Sequence, residues 1–193
     1  MRILLVSGSL RSGSTNTAAL LTAGAVAPEG VDTELFDSMA RLPHFNPDDD
    51  SADGSVPVGP AGTPEPAVAE LRAAIGRADA VLFSTPEYAG DLPGSFKNLL
   101  DWTVGGGEIY GKPVGWVNVS GSPTGAAGAY RALGVVLGYV GARIVEPACV
   151  HLPVARAAVG PDGLVTDPDV RRQLAATLAV LAEAATIDAS VAT

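Results

Sequence analysis

The sequence predicts an α/β protein: one parallel β-sheet covered by helices on both faces. Three observations carry that expectation. Apolar runs of strand length alternate with segments of helical spacing, five times over, in units of roughly 30 residues. The first and third runs are continuously apolar rather than alternating, as in strands buried on both faces. Polar, glycine-bearing turns follow the first, third and fourth runs. In a parallel sheet those turns share one edge, beyond the strand C-termini, where ligands bind.

Taken in order, Ile3–Val6 is the first strand, and helical spacing follows over roughly Thr15–Val26 until Pro28 and Gly30 stop it. Val31–Phe36 reads as the second strand. A long irregular segment, residues 38–64, is rich in proline and contains Asp48–Asp50, expected to be solvated. Pro66–Arg77 is a helix with Val68, Leu71 and Ile75 on one face, and Ala80–Phe83 is the third strand. Pro93 opens the next helix, which turns Phe96, Leu99 and Leu100 inward. Val114–Val119, a helix over Ala129–Val140 and a strand over Arg143–Leu152 follow. Asp167 and Pro168 are the cap and first position of the last helix, with Val170, Leu174, Leu178 and Leu181 as its buried stripe. A frayed tail is expected over 187–193. The whole reads as a single domain, 1–193.

The bulk charge narrows the partners. A formal net charge of −9 opposes non-specific binding to nucleic acid or an acidic membrane. No apolar stretch approaches the roughly 20 residues of a spanning helix. The single cysteine, Cys149, excludes an intrachain disulfide framework. With no leader-type N-terminus, this points to a cytoplasmic protein. Cys149 sits in a strand and reads as a small buried hydrophobe. His44 and His151 have no ligand-spaced partners, so no metal site is expected.

The first turn carries the clearest chemistry. Ser7–Asn16 holds two glycines, five hydroxyl side chains, Arg11 and Asn16, and no acid or proline. Between a strand and a helix N-terminus, such a turn offers backbone N–H groups and a positive dipole end to an anion. Arg11 supplies a charge that a mere turn does not need. Gly8 and Gly13 have the spacing of a nucleoside-triphosphate loop, but Ser14 stands where lysine is required. Leu10 occupies the middle glycine of the dinucleotide fingerprint. The turn after the third strand, Ser84–Pro93, contains Pro86, Glu87, Tyr88 and Gly90. Tyr88 suits stacking on a flat ligand, and Glu87 reads as a hydrogen-bonding residue rather than an acid or base. Lys97 and Asp101 are an i, i+4 ion pair beside Asn98, with an inter-subunit role as the alternative.

Two segments, GSLRSGSTN (8–16) and TPEYAGDLPGSFKNLLDW (85–102), together with LPHFNPD (42–48), resemble the NADPH-dependent FMN reductase family. Its relatives include bacterial quinone, chromate and azo-dye reductases. The resemblance spans about residues 2–150. It implies a flavodoxin-like three-layer sandwich with strand order 2-1-3-4-5. It also implies FMN as cofactor and NADPH or NADH as cosubstrate.

By position, Ser9, Arg11, Ser14, Thr15 and Asn16 match the residues that hold the FMN phosphate. Pro86, Glu87, Tyr88, Ala89 and Gly90 match the turn beside the isoalloxazine. Ser120, Gly121 and Ser122 approach its other edge. Two positions depart from the pattern: the family usually has asparagine at Ala89 and often serine at Asp91.

The resemblance further implies a homodimer or homotetramer and a small-molecule acceptor such as a quinone or flavin. Hydride passes from nicotinamide to flavin N5 and on to the acceptor at the same face. The flavin carries the chemistry, so no catalytic side chain is expected. Two alternatives stay open at this point. One is a non-enzymatic flavodoxin-like carrier or flavin-responsive binding protein. The other is a flavin-free phosphoester-binding module.

Overall fold

Five parallel strands in the order β2-β1-β3-β4-β5 form the sheet of the computed structural model, which describes residues 1–50 and 65–191. The strands are β1 (Arg2–Ser7), β2 (Asp32–Phe36), β3 (Ala80–Ser84), β4 (Pro113–Asn118) and β5 (Arg143–His151). The helices are α1 (Thr15–Ala25), α2 (Pro66–Arg77), α3 (Gly94–Asp101), α4 (Ala127–Tyr139) and α5 (Pro168–Val191). The sheet has the flavodoxin-like order, and the strand boundaries and those of α1, α2 and α4 fall within two residues of the sequence reading. Helical geometry continues to Val191.

Side-chain alternation along buried strands builds two cores. Leu4, Val6, Val81 and Phe83 pack on one face with α2, α3 and α4, through Leu71, Phe96, Leu99 and Leu133. Ile3, Leu5, Ala80 and Leu82 pack on the other with α1 and α5, through Leu20, Leu174, Leu178 and Leu181. This is why β1 and β3 read as unbroken apolar runs: both of their faces are interior. Asp167 caps α5 as expected, accepting from the N–H groups of Asp169 (2.8 Å) and Val170 (3.2 Å). β5 is an edge strand that contains Pro147, and the ladder slips there: Val114 pairs with Ile144 but Trp116 with Cys149. A proline has no N–H for the ladder, so the bulge sits where pairing is already lost.

The acidic run corrects the sequence reading. Asp48 is exposed, but Asp50 Oδ1 lies 2.7 Å from Arg72 Nη2, and both side chains are 7% exposed. Arg72 also donates to the Trp102 carbonyl. The cause is Arg72's place on the inner face of α2 beside Leu71, where a guanidinium needs a partner. Asn98, beside the Lys97–Asp101 pair, bonds to the LPHFNPD stretch. It donates to the Pro43 carbonyl (2.8 Å) and accepts from the Phe45 N–H (2.8 Å). Trp102 Nε1 donates to the same carbonyl (2.9 Å), and Phe45 packs edge-on against its ring. The LPHFNPD stretch is thus pinned to α3. Residues 51–64, the rest of the predicted long loop, lie outside the described residues. Among the described residues, no helix is long and apolar enough to cross a membrane.

Candidate flavin site

Ser7 and Ser84 end neighbouring strands and are paired in register, so the turns that follow β1 and β3 start side by side. Gly8 N–H donates to the Ser84 carbonyl at 2.8 Å. A Cβ on Gly8 would lie 2.3 Å from Thr85 Oγ1, so only glycine lets the turns meet. Hydroxyls then shape the β1–α1 turn: Ser7 Oγ and Thr17 Oγ1 are 2.8 Å apart, and the Ser9 and Arg11 N–H groups donate to Ser7 and Ser9 Oγ. Gly13 takes the left-handed conformation (φ +66°). Ser14 occupies the N-cap position of α1, yet its side chain makes no cap bond, and no acid stands in the first turn. The helix therefore keeps its orphan N–H groups and its dipole for an external anion. Ser84 Oγ donates to Asn16 Oδ1 (2.9 Å). Asn16 Nδ2 is left with no partner among the described residues.

The β3–α3 turn is locked. Tyr88 and Asp91 exchange both backbone bonds (3.0 and 3.1 Å) across Ala89 and Gly90, which have φ of 52° and 80°. Two positive-φ residues between bonded neighbours make a type I′ turn. Glu87 Oε2 accepts from the Ala129 N–H (3.1 Å) in the first turn of α4, where an acid complements the dipole. This is the hydrogen-bonding role read from the sequence. Gly128 lets α4 approach, since a Cβ there would sit 2.1 Å from the Gly90 carbonyl oxygen. Beneath the turn, Tyr130 Oη accepts from Thr85 N–H (3.2 Å) and contacts the Val117 (2.9 Å) and Thr85 (3.1 Å) carbonyls. Burial pushes the Tyr130 phenol up to about 12, against the pull of its Thr85 hydrogen bond.

In the β4–α4 turn, Asn118 accepts from Ser120 N–H (3.0 Å) and donates to the Gly125 carbonyl. Ser120, Ser122 and Thr124 hydroxyls follow one another at 2.9 and 3.2 Å. His151 Nε2 lies 2.8 Å from the Ser120 carbonyl, and a carbonyl only accepts, so Nε2 carries the proton. Among the described residues no group of three or more His, Cys, Asp or Glu side chains is placed to hold a metal ion. Burial pushes the half-buried Cys149 thiol up to about 12.

These turns enclose a cavity of about 450 Å³ at the C-terminal edge of the sheet. Its volume lies within the roughly 300–1,000 Å³ range of small-molecule and cofactor sites. Of the residues singled out by sequence, Thr15, Asn16, Pro86, Glu87, Ser120, Gly121 and Ser122 line it. Ser14 and Arg11 line a cleft of about 300 Å³ between the start of α1 and the segment after β5. Ser9 and Arg11 line another of about 330 Å³ beside the end of β2. Tyr88, Ala89 and Gly90 line none of these spaces; Tyr88 is 52% exposed beside them. The sequence reading missed Thr85, Thr124, Val154 and Arg156 in the cavity wall. Thr85 and Thr124 lay in turns already flagged; Arg156 follows β5 with no periodic or motif signal.

The residues fit FMN. An uncapped helix N-terminus with hydroxyls and an amide suits a phosphate, and three turns leave a flavin-sized cavity beside it. Comparison with known proteins agrees. Residues 1–157 match the family described as NADPH-dependent FMN reductase. An NAD(P)H-dependent FMN reductase of Pseudomonas aeruginosa is 34% identical over 183 residues, covering 94% of this chain and 93% of that one. A quinone reductase of Escherichia coli is 32% identical over 117 residues, 59% of this chain and 57% of its own. The solved structure of FerB, a flavoenzyme NAD(P)H:(acceptor) oxidoreductase from Paracoccus denitrificans, superposes with a TM-score of 0.71 at 27% identity. It covers 94% of this chain and 97% of the FerB chain. Fold, site and relatives converge, and the chain belongs to the NADPH-dependent FMN reductase family.

Proposed function

We infer that this chain is an FMN-dependent NAD(P)H oxidoreductase whose acceptor is a small molecule of the quinone or flavin class. The single observation that carries the reading is the cavity walled by the uncapped α1 N-terminus and the turns after β3 and β4. When bound, FMN supplies the redox chemistry, taking hydride from the nicotinamide and delivering electrons to the acceptor. The chain's own residues bind and orient. Ser9, Arg11, Ser14, Thr15 and Asn16 hold the phosphate end by charge, hydroxyls and helix N–H groups. Pro86–Gly90 and Ser120–Ser122 face the ring edges. Glu87 spends its carboxylate on α4, so the turn beside the ring is rigid. Orientation of nicotinamide against a fixed ring supplies much of the rate in such a site.

The reading includes one flavodoxin-like domain over 1–193, a cytoplasmic setting and a homodimer or homotetramer. Support for assembly comes from an apolar groove of about 440 Å³ between α3 and α4, lined by Leu92, Ala132, Val135 and Val136 with Lys97 and Arg131. Light scattering on the purified protein tests it. The function is tested by a visible spectrum of the purified protein, then rapid mixing with NADPH and with NADH. Flavin absorbance near that of FMN, bleached rapidly by a nucleotide, is the expected result. Bound flavin that neither nucleotide reduces would instead mark an electron carrier, and absence of any flavin binding would sink the reading.

A further inference from the structure

We propose that Arg156 is a second cation for the FMN phosphate, in addition to Arg11; the proposal rests on the FMN reading above. Among the residues lining the 450 Å³ cavity, Arg156 is the cation and Glu87 the anion, and Glu87 is engaged with α4. Arg156 shares that wall with Thr15 and Asn16, the first residues of α1. Arg11, by contrast, lines only the two flanking clefts.

The connection that carries Arg156 is built against α1. Val165 N–H donates to Thr22 Oγ1 at 2.8 Å, Val159 pairs with Val165, and Val159 and Gly163 face Arg11–Ser14 across the smaller cleft. Arg156 begins a short 3-10 turn on this anchored segment. Its guanidinium has no side-chain partner among the described residues. Arg41, Arg72, Arg77 and Arg172 are each paired with a carboxylate, and Arg171 bonds to the Val165 carbonyl; Arg2, Arg11 and Arg131 also lack a side-chain partner among the described residues, but none of them lines this cavity. A phosphate monoester brings a charge of about −1.5 to −2 at neutral pH, into a protein whose own net charge is −9. A single helix terminus, worth about half a charge, does not balance that. The terminus together with the Arg11 and Arg156 guanidiniums does.

The test measures FMN and riboflavin dissociation constants by quenching of flavin fluorescence on apo-protein. It compares wild type, Arg156→Gln and Arg156→Lys at low and at physiological salt. Arg156→Gln is expected to weaken FMN roughly tenfold and leave riboflavin within about twofold, because only FMN carries the charge. Its FMN affinity should also depend less steeply on salt, and Arg156→Lys should recover part of the loss. Equal weakening of FMN and riboflavin would overturn the proposal, since it would report a disturbed loop. So would unchanged FMN affinity with an altered NADPH-to-NADH preference, which would assign Arg156 to the nucleotide. Wild-type protein that binds neither flavin would defeat the FMN reading itself, a result distinct from both.

Discussion

The turns after β1 and β3 leave the sheet from paired serines, yet they are built in opposite ways. The β1–α1 turn spends its hydroxyls on its own backbone and on Thr17, and leaves the α1 N-terminus uncapped. The β3–α3 turn is satisfied throughout: a type I′ reversal, a carboxylate capping α4 and a buried phenol beneath it. One is a socket whose partner comes from outside; the other is a finished wall. The difference locates where ligand energy is gained and where shape is stored. In the proposed reading a phosphate would fill donors that the fold leaves open, whereas the ring would lie against a surface whose geometry is already set.

The strongest way to break the comparison is to force the two turns apart. In Gly8→Ala the new Cβ would stand 2.3 Å from Thr85 Oγ1, 2.6 Å from Thr85 Cβ and 2.9 Å from Phe96 Cδ1. Overpacking of this kind is expected to cost about 3 kcal/mol in urea unfolding and to abolish tight FMN binding. Gly13→Ala is the control. Open space surrounds Gly13, but its φ is +66°, so the cost is that of a left-handed alanine alone, about 1–2 kcal/mol. Equal losses from the two would mean that the close approach of the turns contributes nothing.

Arg11→Ala probes the socket. The side chain is exposed and has no partner among the described residues, so removing it should leave the melting temperature unchanged. FMN affinity is expected to fall by roughly 1.5–3 kcal/mol, the scale of a charge-assisted hydrogen bond, with riboflavin little affected. Equal losses for both flavins would argue against a phosphate contact.

Tyr130→Phe probes the wall. It leaves the Thr85 N–H without its acceptor in the interior, a loss of about 1–2 kcal/mol in stability with the redox site otherwise intact. The pH dependence sharpens this. Tyr130 titrates at about 12 in the folded chain against an ordinary value of 10.0. The folded state therefore holds that proton more tightly, and its contribution is fully present below pH 10 and is lost as pH rises through about 12. Unfolding followed from pH 9 to pH 12 should show a shallower alkaline decline in Tyr130→Phe. Cys149, whose thiol is likewise pushed up to about 12, adds a decline of the same sign, while Lys112, whose ammonium burial pushes down, opposes it.

What the sequence disclosed follows the same division. The socket is legible because its chemistry is local: glycines, hydroxyls and Arg11 within one stretch before a helix. The sheet is legible because Ile3–Val6 and Ala80–Phe83 are apolar on both faces. The wall is not, because its bonds join distant residues. Glu87 meets Ala129, and Tyr130 meets Thr85, through contacts that no spacing rule announces. Asp50 was read within an acidic run, but Arg72, on a different element, decides its fate. Arg156 reaches the cavity only because the segment after β5 folds back on α1.

The smallest predicted effect lies at Ala89, the central turn residue where the family usually carries asparagine. A type I′ turn needs positive φ at both central positions, and Ala89 adopts 52° before Gly90 at 80°. Alanine pays for that conformation with its Cβ, while asparagine tolerates it by bonding locally. Ala89→Asn creates the Asn-Gly pair that such turns favour, and should stabilise the chain by about 0.5–1 kcal/mol. For a chain of this size that corresponds to a rise in melting temperature of about 1–4 °C. The apo-protein is the sample to melt, because a gain there belongs to the turn and not to the flavin. If FMN affinity also rises, asparagine serves the ligand as well as the reversal. If FMN tightens while the apo-protein melts unchanged, the wall is not limited by its left-handed alanine, and the contrast drawn with the socket loses its structural basis at this position.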